Sequence, residues 1–257
     1  MSVWLTIPSA RPAAEIAERI QRWQAQGYRI ALWRNGPHVA DPLPFLTNRD
    51  ALKASPDYAG WGASINTLIQ EIMLYDPSAE WFVGGGDDTD PDATKTANEI
   101  ARQCSDEFRE RHIEATGETF NIHPTLGVMQ PTGDRWGAEE PWAKAMFPDA
   151  PAYIDRLCGS PWIGREFARR ANRGAGPFWP EYKHMFADEE LQEVAKRLGV
   201  LWQRPDLTHH HEHARRDGVS RTPDFATEIY SAPHWAASKA LFESRKAAGF
   251  PGSELLA

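Results

Sequence analysis

Apolar runs and amphipathic stretches alternate along the first half of the chain. Val3 to Ile7 is a short apolar run closed by Pro8, which predicts a buried strand. Pro12 then opens a helical pattern in which Ile16, Ile20 and Trp23 share one face, and Gly27 ends it. Arg29 to Trp33 predicts a second strand, stopped at Asn35-Gly36-Pro37. Strand, helix and strand in this order make a βαβ unit, which requires a parallel pair and a right-handed crossover.

The same alternation recurs. Gly60-Trp61-Gly62 leads into an amphipathic helix marked by Ile65, Leu68, Ile69 and Ile72, stopped by Asp76-Pro77. Trp81-Phe82-Val83 predicts a strand that runs through three glycines into Asp87-Asp88-Thr89-Asp90-Pro91-Asp92. A long helix is expected from Thr94 to about Thr116, with Ile100, Cys104 and Phe108 inward, and a strand at Leu126 to Met129. From Pro131 to Pro180 the pattern loosens into Gly, Pro and Trp, which reads as long loops and short helices walling a cleft. Leu191, Val194, Ala195 and Leu198 mark a helix closed by Gly199, and Val200-Leu201-Trp202 a strand. After a polar stretch from His209 to Thr222, a last helix covers Pro233 to Ala248. The summary is an α/β fold with an open mixed sheet.

Composition narrows the classes. The chain has 257 residues, enough for a substantial core without covalent staples. A net charge of −8 offers no general attraction for phosphate backbones. Cys104 and Cys158 match no metal or redox spacing and read as reduced buried thiols. The opening residues lack the basic and apolar regions of a signal peptide, and no run reaches the roughly 20 apolar residues that span a bilayer. A cytoplasmic protein without a membrane span is expected.

The acidic turn is the first candidate for chemistry. In open α/β sheets, ligands bind beyond the carboxyl ends of strands, where this turn falls. Asp87, Asp88, Asp90 and Asp92 would repel one another unless cations or solvent separate them. They could face one hard divalent ion, or form a solvated loop in which Asp92 caps the following helix. Capping accounts for Asp92 and leaves the other three carboxylates to be explained. The second candidate is Asp206-Leu207-Thr208-His209-His210-His211-Glu212-His213, since neutral imidazole suits transition metals. In an extended segment His209 and His211 would point the same way. Asp188, in the acidic start of a helix, is either an N-terminal dipole partner or a general base. Arg215, Arg216 and Arg221 could close over a diphosphate or form a solvated loop.

In order and spacing these segments resemble the GT-A glycosyltransferases, particularly family-2-like members. Ile7-Pro8-Ser9-Ala10-Arg11 is similar to the nucleotide-facing end of that family's first strand, and Gly62 to Asn66 to its Gly-x-x-x-x-Asn element. Asp88-Thr89-Asp90 stands in the place of the Asp-x-Asp signature. Ala187-Asp188-Glu189-Glu190 is similar to the acidic motif on the acceptor side, with Ala187 where a Glu is usual. His209 or His211 is similar to the metal-binding His. The resemblance implies a GT-A fold, a Rossmann-like mixed open sheet flanked by helices, as a single domain over 1–257. Residues 1–130 would form the donor half and 131–257 the acceptor half with a C-terminal lid.

The implied activity is metal-dependent transfer of a hexosyl or pentosyl group from a nucleoside-diphosphate sugar to an acceptor hydroxyl, with inversion. Pro8, Ser9, Arg11, Asn35, Asn66, Asp87 and Asp88 would bind the donor. Asp88, Asp90 and His209 or His211 would hold Mn²⁺ or Mg²⁺, and Asp188 would be the base. The acceptor, a glycan, small molecule or modified DNA base, would lie against the Trp-rich wall from Trp136 to Trp179; the acidic charge disfavours nucleic acid. A metal-dependent phosphohydrolase or nucleotidyltransferase, or a non-catalytic nucleotide-sugar-binding module, are the alternatives.

Overall fold

The computed structural model describes residues 1–120, 122–135, 155–212 and 231–254. Strands β1 (Ser2–Ser9), β2 (Arg29–Arg34), β3 (Ala51–Ala54) and β4 (Ala79–Gly84) are joined by helices α1 (Ala13–Ala25), between β1 and β2, and α2 (Trp61–Tyr75), between β3 and β4. Beyond the acidic turn come β5 (Thr89–Asp90), α3 (Ala97–Thr116), β6 (Val128–Pro131) and β7 (Trp162–Gly164). Helices α4 (Arg165–Arg170) and α5 (Ala187–Arg197), strands β8 (Leu201–Arg204) and β9 (His210–His211), and helix α6 (Ala232–Ala247) complete the described chain.

Seven strands form one sheet in the order β3-β2-β1-β4-β7-β6-β8. β7 runs antiparallel to both of its neighbours, and the other pairings are parallel. β5 and β9 make a separate antiparallel ribbon. The architecture is thus the expected α/β one, a mixed open sheet with helices on both faces. The region 131–180 differs from the expected loops, because it supplies β7 to the middle of the sheet. Three residues are too short a run for periodicity to register, and burial on both faces removes the alternation that marks a strand.

The strands read as continuous apolar runs because helices cover both faces. Val3, Leu5, Ile7, Ile30, Leu32, Trp81 and Val83 point to one side, where Ile16, Ile20 and Trp23 of α1 and Ile100, Cys104 and Phe108 of α3 meet them. Trp4, Ala31, Trp33, Phe82 and Ile163 point to the other, against Ile65, Leu68, Ile69 and Ile72 of α2, Phe167 of α4 and Leu191 of α5. Side chains of opposite parity reach opposite cores, as the pleat requires.

Helix α3 begins two or three residues later than expected. Its cap is a reciprocal box: the Thr96 hydroxyl accepts from the Glu99 N–H, and the Thr96 N–H donates to Glu99 at 2.8 Å. Asp92 instead accepts from the Thr94 N–H at 2.7 Å and the Thr208 N–H at 2.8 Å, tying the acidic turn to the chain that leaves β8.

The C-terminal helix is fastened by a buried ion pair. Arg245 of α6 donates to both oxygens of Glu190 at 2.7–3.0 Å and lies 3.6 Å above the Trp179 ring, while the Tyr182 hydroxyl donates to Glu190 at 2.8 Å. Arg245→Ala leaves the Glu190 carboxylate buried without its cation. Urea titration of that variant should show a loss of about 3–5 kcal/mol.

Candidate functional site

The four parallel strands β3, β2, β1 and β4 deliver their carboxyl ends to one edge of the molecule, and the candidate residues gather there. At the end of β1, the Ser9 hydroxyl donates to Asp87 at 2.6 Å and Arg11 Nε donates to the same carboxylate at 2.9 Å. Pro8 stands one residue earlier, paired with Trp33 of β2. The Asn35 N–H donates to the Ser9 carbonyl at 3.1 Å. Arg34, fully buried, reaches Ser9 at 3.4 Å and donates to the His38 carbonyl at 2.7 Å. Pro8, Ser9, Arg11, Asn35 and Asp87 are therefore one cluster. Asn66 is engaged elsewhere: its amide donates to the Phe178 carbonyl at 2.7 Å and accepts from the Phe178 N–H at 3.1 Å, clamping a loop onto α2.

Beyond β4 the chain turns at Gly86, whose carbonyl accepts from the Thr89 N–H at 3.3 Å, and the Asp88 carboxylate folds back against the space a Cβ there would take. The turn then pairs with the histidine run through the β5–β9 ribbon, Thr89 opposite His211 and Asp90 opposite His210. The Glu212 N–H donates to the Asp88 carbonyl at 2.8 Å. Asp88 Oδ1 comes to 3.3 Å from His211 Nε2, which brings the two halves of the chain to a common point.

The remaining candidate ligands take other partners. Asp90 accepts from Arg19 Nε at 3.2 Å and Arg22 Nε at 2.9 Å, both on α1. His209 is buried: Ser160 Oγ lies 2.7 Å from its Nδ1, and the Trp162 indole N–H donates to its Nε2 at 3.5 Å. The alternation expected of an extended His209–His211 segment holds only from His210, because the ribbon begins there. Burial drives the His209 pKa down to about 3, against the pull of Asp92 and Asp134, so the ring is neutral. His210 Nδ1 faces Asp134 Oδ1 at 3.1 Å, and the His211 N–H donates to the same carboxylate at 3.3 Å.

The acceptor-side candidate, Asp188, lies in the first turn of α5. It is adjacent to Glu189, whose backbone N–H donates to Asp188 at 3.2 Å. Desolvation and the Asp188 carboxylate together push Glu189 up to about 10. Glu189 thus holds a proton at neutral pH, and the two carboxyl groups avoid facing each other as anions. His184 stands within the electrostatic reach of both Asp188 and Asp88, which raise its pKa while burial, the larger influence, lowers it. Its Nδ1 lies 3.2 Å from the Tyr58 hydroxyl.

Three of the motif-based expectations fall where no contact can be stated. Arg215, Arg216 and Arg221, with the expected lid, lie outside the described residues, as do Trp136 and Trp142 of the aromatic wall. The described tryptophans of that wall are structural, Trp162 being buried in the sheet and Trp179 lying under Arg245. Sequence reasoning missed His184, Tyr58, Asp134 and Arg19, and named Glu189 only as part of the acidic motif. Only Arg19 left a signal: it shares the inward helical face of Ile16, Ile20 and Trp23, where a charge is unexpected.

A metal fits part of this arrangement. Two ligand atoms on one ion, each about 2.0–2.2 Å from it, stand about 3 Å apart, close to the Asp88–His211 separation. Among the described residues no group of three His, Cys, Asp or Glu side chains converges on one point.

No protein-family model and no curated protein sequence matches the chain. Two of the solved structures to which it is similar are glycosyltransferases. One is the catalytic domain of Drosophila β1,4-galactosyltransferase 7 in complex with xylobiose, at 13% identity and a TM-score of 0.46, covering 84% of this chain and 72% of that one. Another is a glycosyltransferase involved in glycosylation of the major capsid of PBCV-1, at 12% identity and a TM-score of 0.38, covering 79% and 82%. Among the described residues no helix is long and apolar enough to cross a membrane.

Two pH dependences follow, of opposite sign. The raised Glu189 pKa means that its contribution to stability is present below about 4.3 and is lost as pH climbs towards 10. Glu189→Gln has no such loss, so its melting temperature should gain on the parent protein by a few degrees between pH 5 and 9, each kcal/mol being worth about 2–4 °C at this size. The depressed His209 pKa acts the other way, giving stability that is present above about 6.5 and is lost as pH falls towards 3. His209→Gln should lower stability at pH 7 and flatten the decline between pH 6 and 4, as read by thermal melts.

Proposed function

We propose that this protein is a metal-dependent glycosyltransferase that moves a sugar from a nucleoside-diphosphate donor to an acceptor hydroxyl with inversion. The observation that carries the reading is the Asp88–His211 pair at the carboxyl end of β4, flanked by the Ser9–Asp87–Arg11 cluster. The order of motifs along the chain, similar to that of GT-A enzymes, supports it.

In this reading the nucleoside packs at Pro8 to Arg11 and Arg34-Asn35, with Ser9 and Arg11 fixing the Asp87 carboxylate that faces it. Asp88 and His211 hold Mn²⁺ or Mg²⁺, which when bound neutralises the diphosphate leaving group. Asp90, whose carboxylate is shared between two arginines, orders the turn instead of ligating. Asp188 takes the proton of the acceptor hydroxyl as the acceptor oxygen attacks the anomeric carbon and the bond to the diphosphate breaks. Protonated Glu189 keeps one negative charge on the carboxyl pair, and His184 stands within electrostatic reach of both Asp188 and Asp88. A cytoplasmic location and an acceptor other than nucleic acid complete the proposal.

The test is a thermal-shift panel of nucleoside diphosphates and their sugars, with and without Mn²⁺. One nucleoside diphosphate should stabilise the protein only when Mn²⁺ is present, by about 2.7 kcal/mol at a hundredfold excess over its Kd. Asp88→Asn should abolish the metal-dependent part, whereas Asp90→Asn should retain most of it. Silence across the whole panel would overturn the reading, and phosphate release without any sugar donor would favour a phosphohydrolase.

A further inference from the structure

Arg19 is an unusual residue to find on the inward face of α1. It is only 9% exposed, and the apolar neighbours Ile16, Ile20 and Trp23 surround it on the helix. All three arms of its guanidinium are used, and each reaches a different part of the donor site. Nη1 donates to the Asp87 carbonyl at 2.8 Å, Nε to the Asp90 carboxylate at 3.2 Å, and Nη2 to the Glu212 carboxylate at 2.6 Å. Asp87 and Asp90 bracket Asp88 on one side of the ribbon, and Glu212 follows His211 on the other. Asp90 and Glu212 lie more than a hundred residues apart in the chain, and the ribbon that joins them has only two paired residues on each strand. So short a ribbon is not stable by itself in water. Two further bonds from α1 assist it, the Trp23 indole to the Thr89 carbonyl at 2.8 Å and Arg22 to Asp90 at 2.9 Å, but neither reaches the β9 strand.

We propose that Arg19 is the positioning residue of the donor site: its planar fork locks the two strands of the β5–β9 ribbon and so holds Asp88 and His211 facing each other. This inference rests on the reading of Asp88 and His211 as the metal-binding pair. A guanidinium suits the task because its donors diverge in one rigid plane, whereas a lysine ammonium can serve one acceptor well and not three in a fixed geometry. Groups that orient metal ligands from behind typically contribute about 10–100-fold in affinity.

The experiment compares the full-length parent with Arg19→Gln, Glu212→Gln and Arg22→Gln by two readouts that need no turnover. The first is hydrogen exchange of the Glu212 amide, which reports the ribbon directly through its bond to Asp88. The second is the Kd for Mn²⁺ alone, from electron paramagnetic resonance. Arg19→Gln should speed exchange and weaken Mn²⁺ binding about tenfold. Glu212→Gln, which removes one arm and keeps Arg19, should show both effects to a lesser degree and serves if Arg19→Gln does not fold. Arg22→Gln, which takes one bond from the β5 strand and leaves the link across to β9 in place, should stay within about twofold of the parent. Unchanged exchange in Arg19→Gln and Glu212→Gln would overturn the clasp whatever the metal does. Faster exchange with an unchanged Kd would leave a clasp that positions nothing, and overturns the proposal equally. A parent protein that binds no Mn²⁺ would remove the metal reading itself, and this inference with it.

Discussion

Like charges crowded at the end of one strand are the constraint around which this edge of the molecule is organised. Four carboxylates follow β4 within six residues, and each has been given a different neighbour. Asp87 faces Arg11 and Ser9, Asp90 faces Arg19 and Arg22, and Asp92 is held by backbone N–H groups of Thr94 and Thr208. Asp88 faces an imidazole, that of His211. An arginine keeps its charge and its carboxylate at any ordinary pH, while a histidine can be neutral and ligate alongside a carboxylate. The division of partners therefore separates the carboxylates that shape the turn from the one suited to a cation.

The layers behind this edge give it rigidity. Helices on both faces bury β1, β2 and β4, and tryptophan is used on both sides: Trp4 and Trp33 in one core, Trp23 and Trp81 in the other. His209 belongs to that packing. Its ring meets Trp23 edge-on at 5.1 Å between centroids, so the chain entering β9 is anchored in the core one residue before the ribbon begins. The buried Glu190–Arg245 pair fixes α5 through the third residue of its acidic first turn.

Long, strongly periodic elements were legible in the sequence. The β1-α1-β2 unit, α2, β4, α3, α5 and α6 all lie within a few residues of where periodicity and punctuation put them. The strands β3, β7 and β9 were not, since two to four residues carry no periodicity and owe their conformation to neighbours already in place. The site divides in the same way. Ser9, Arg11, Asp87 and Asp88 stand out because they follow strand ends directly. The division of labour between His209 and His211 was hidden, because alternation along an extended segment cannot say where the segment starts. Asn66 looked like a donor ligand and is a loop clamp, a role decided by Phe178, far away in sequence.

The reversed direction of β7 has a consequence for how such a molecule can change. Because β6 runs with β4 and β7 against it, the connection 132–161 leaves the sheet at Pro131 and rejoins it at Trp162 on the same edge, the edge that carries Asp88. Its two ends are fixed by pairing that its own length does not enter. Between Arg135 and Asp155 residues can be gained or lost without a change in either pairing register, whereas Asp134 and Ser160 nearer its ends are held by His210 and His209. Variation in that length leaves β4, and the turn that carries Asp88, in register.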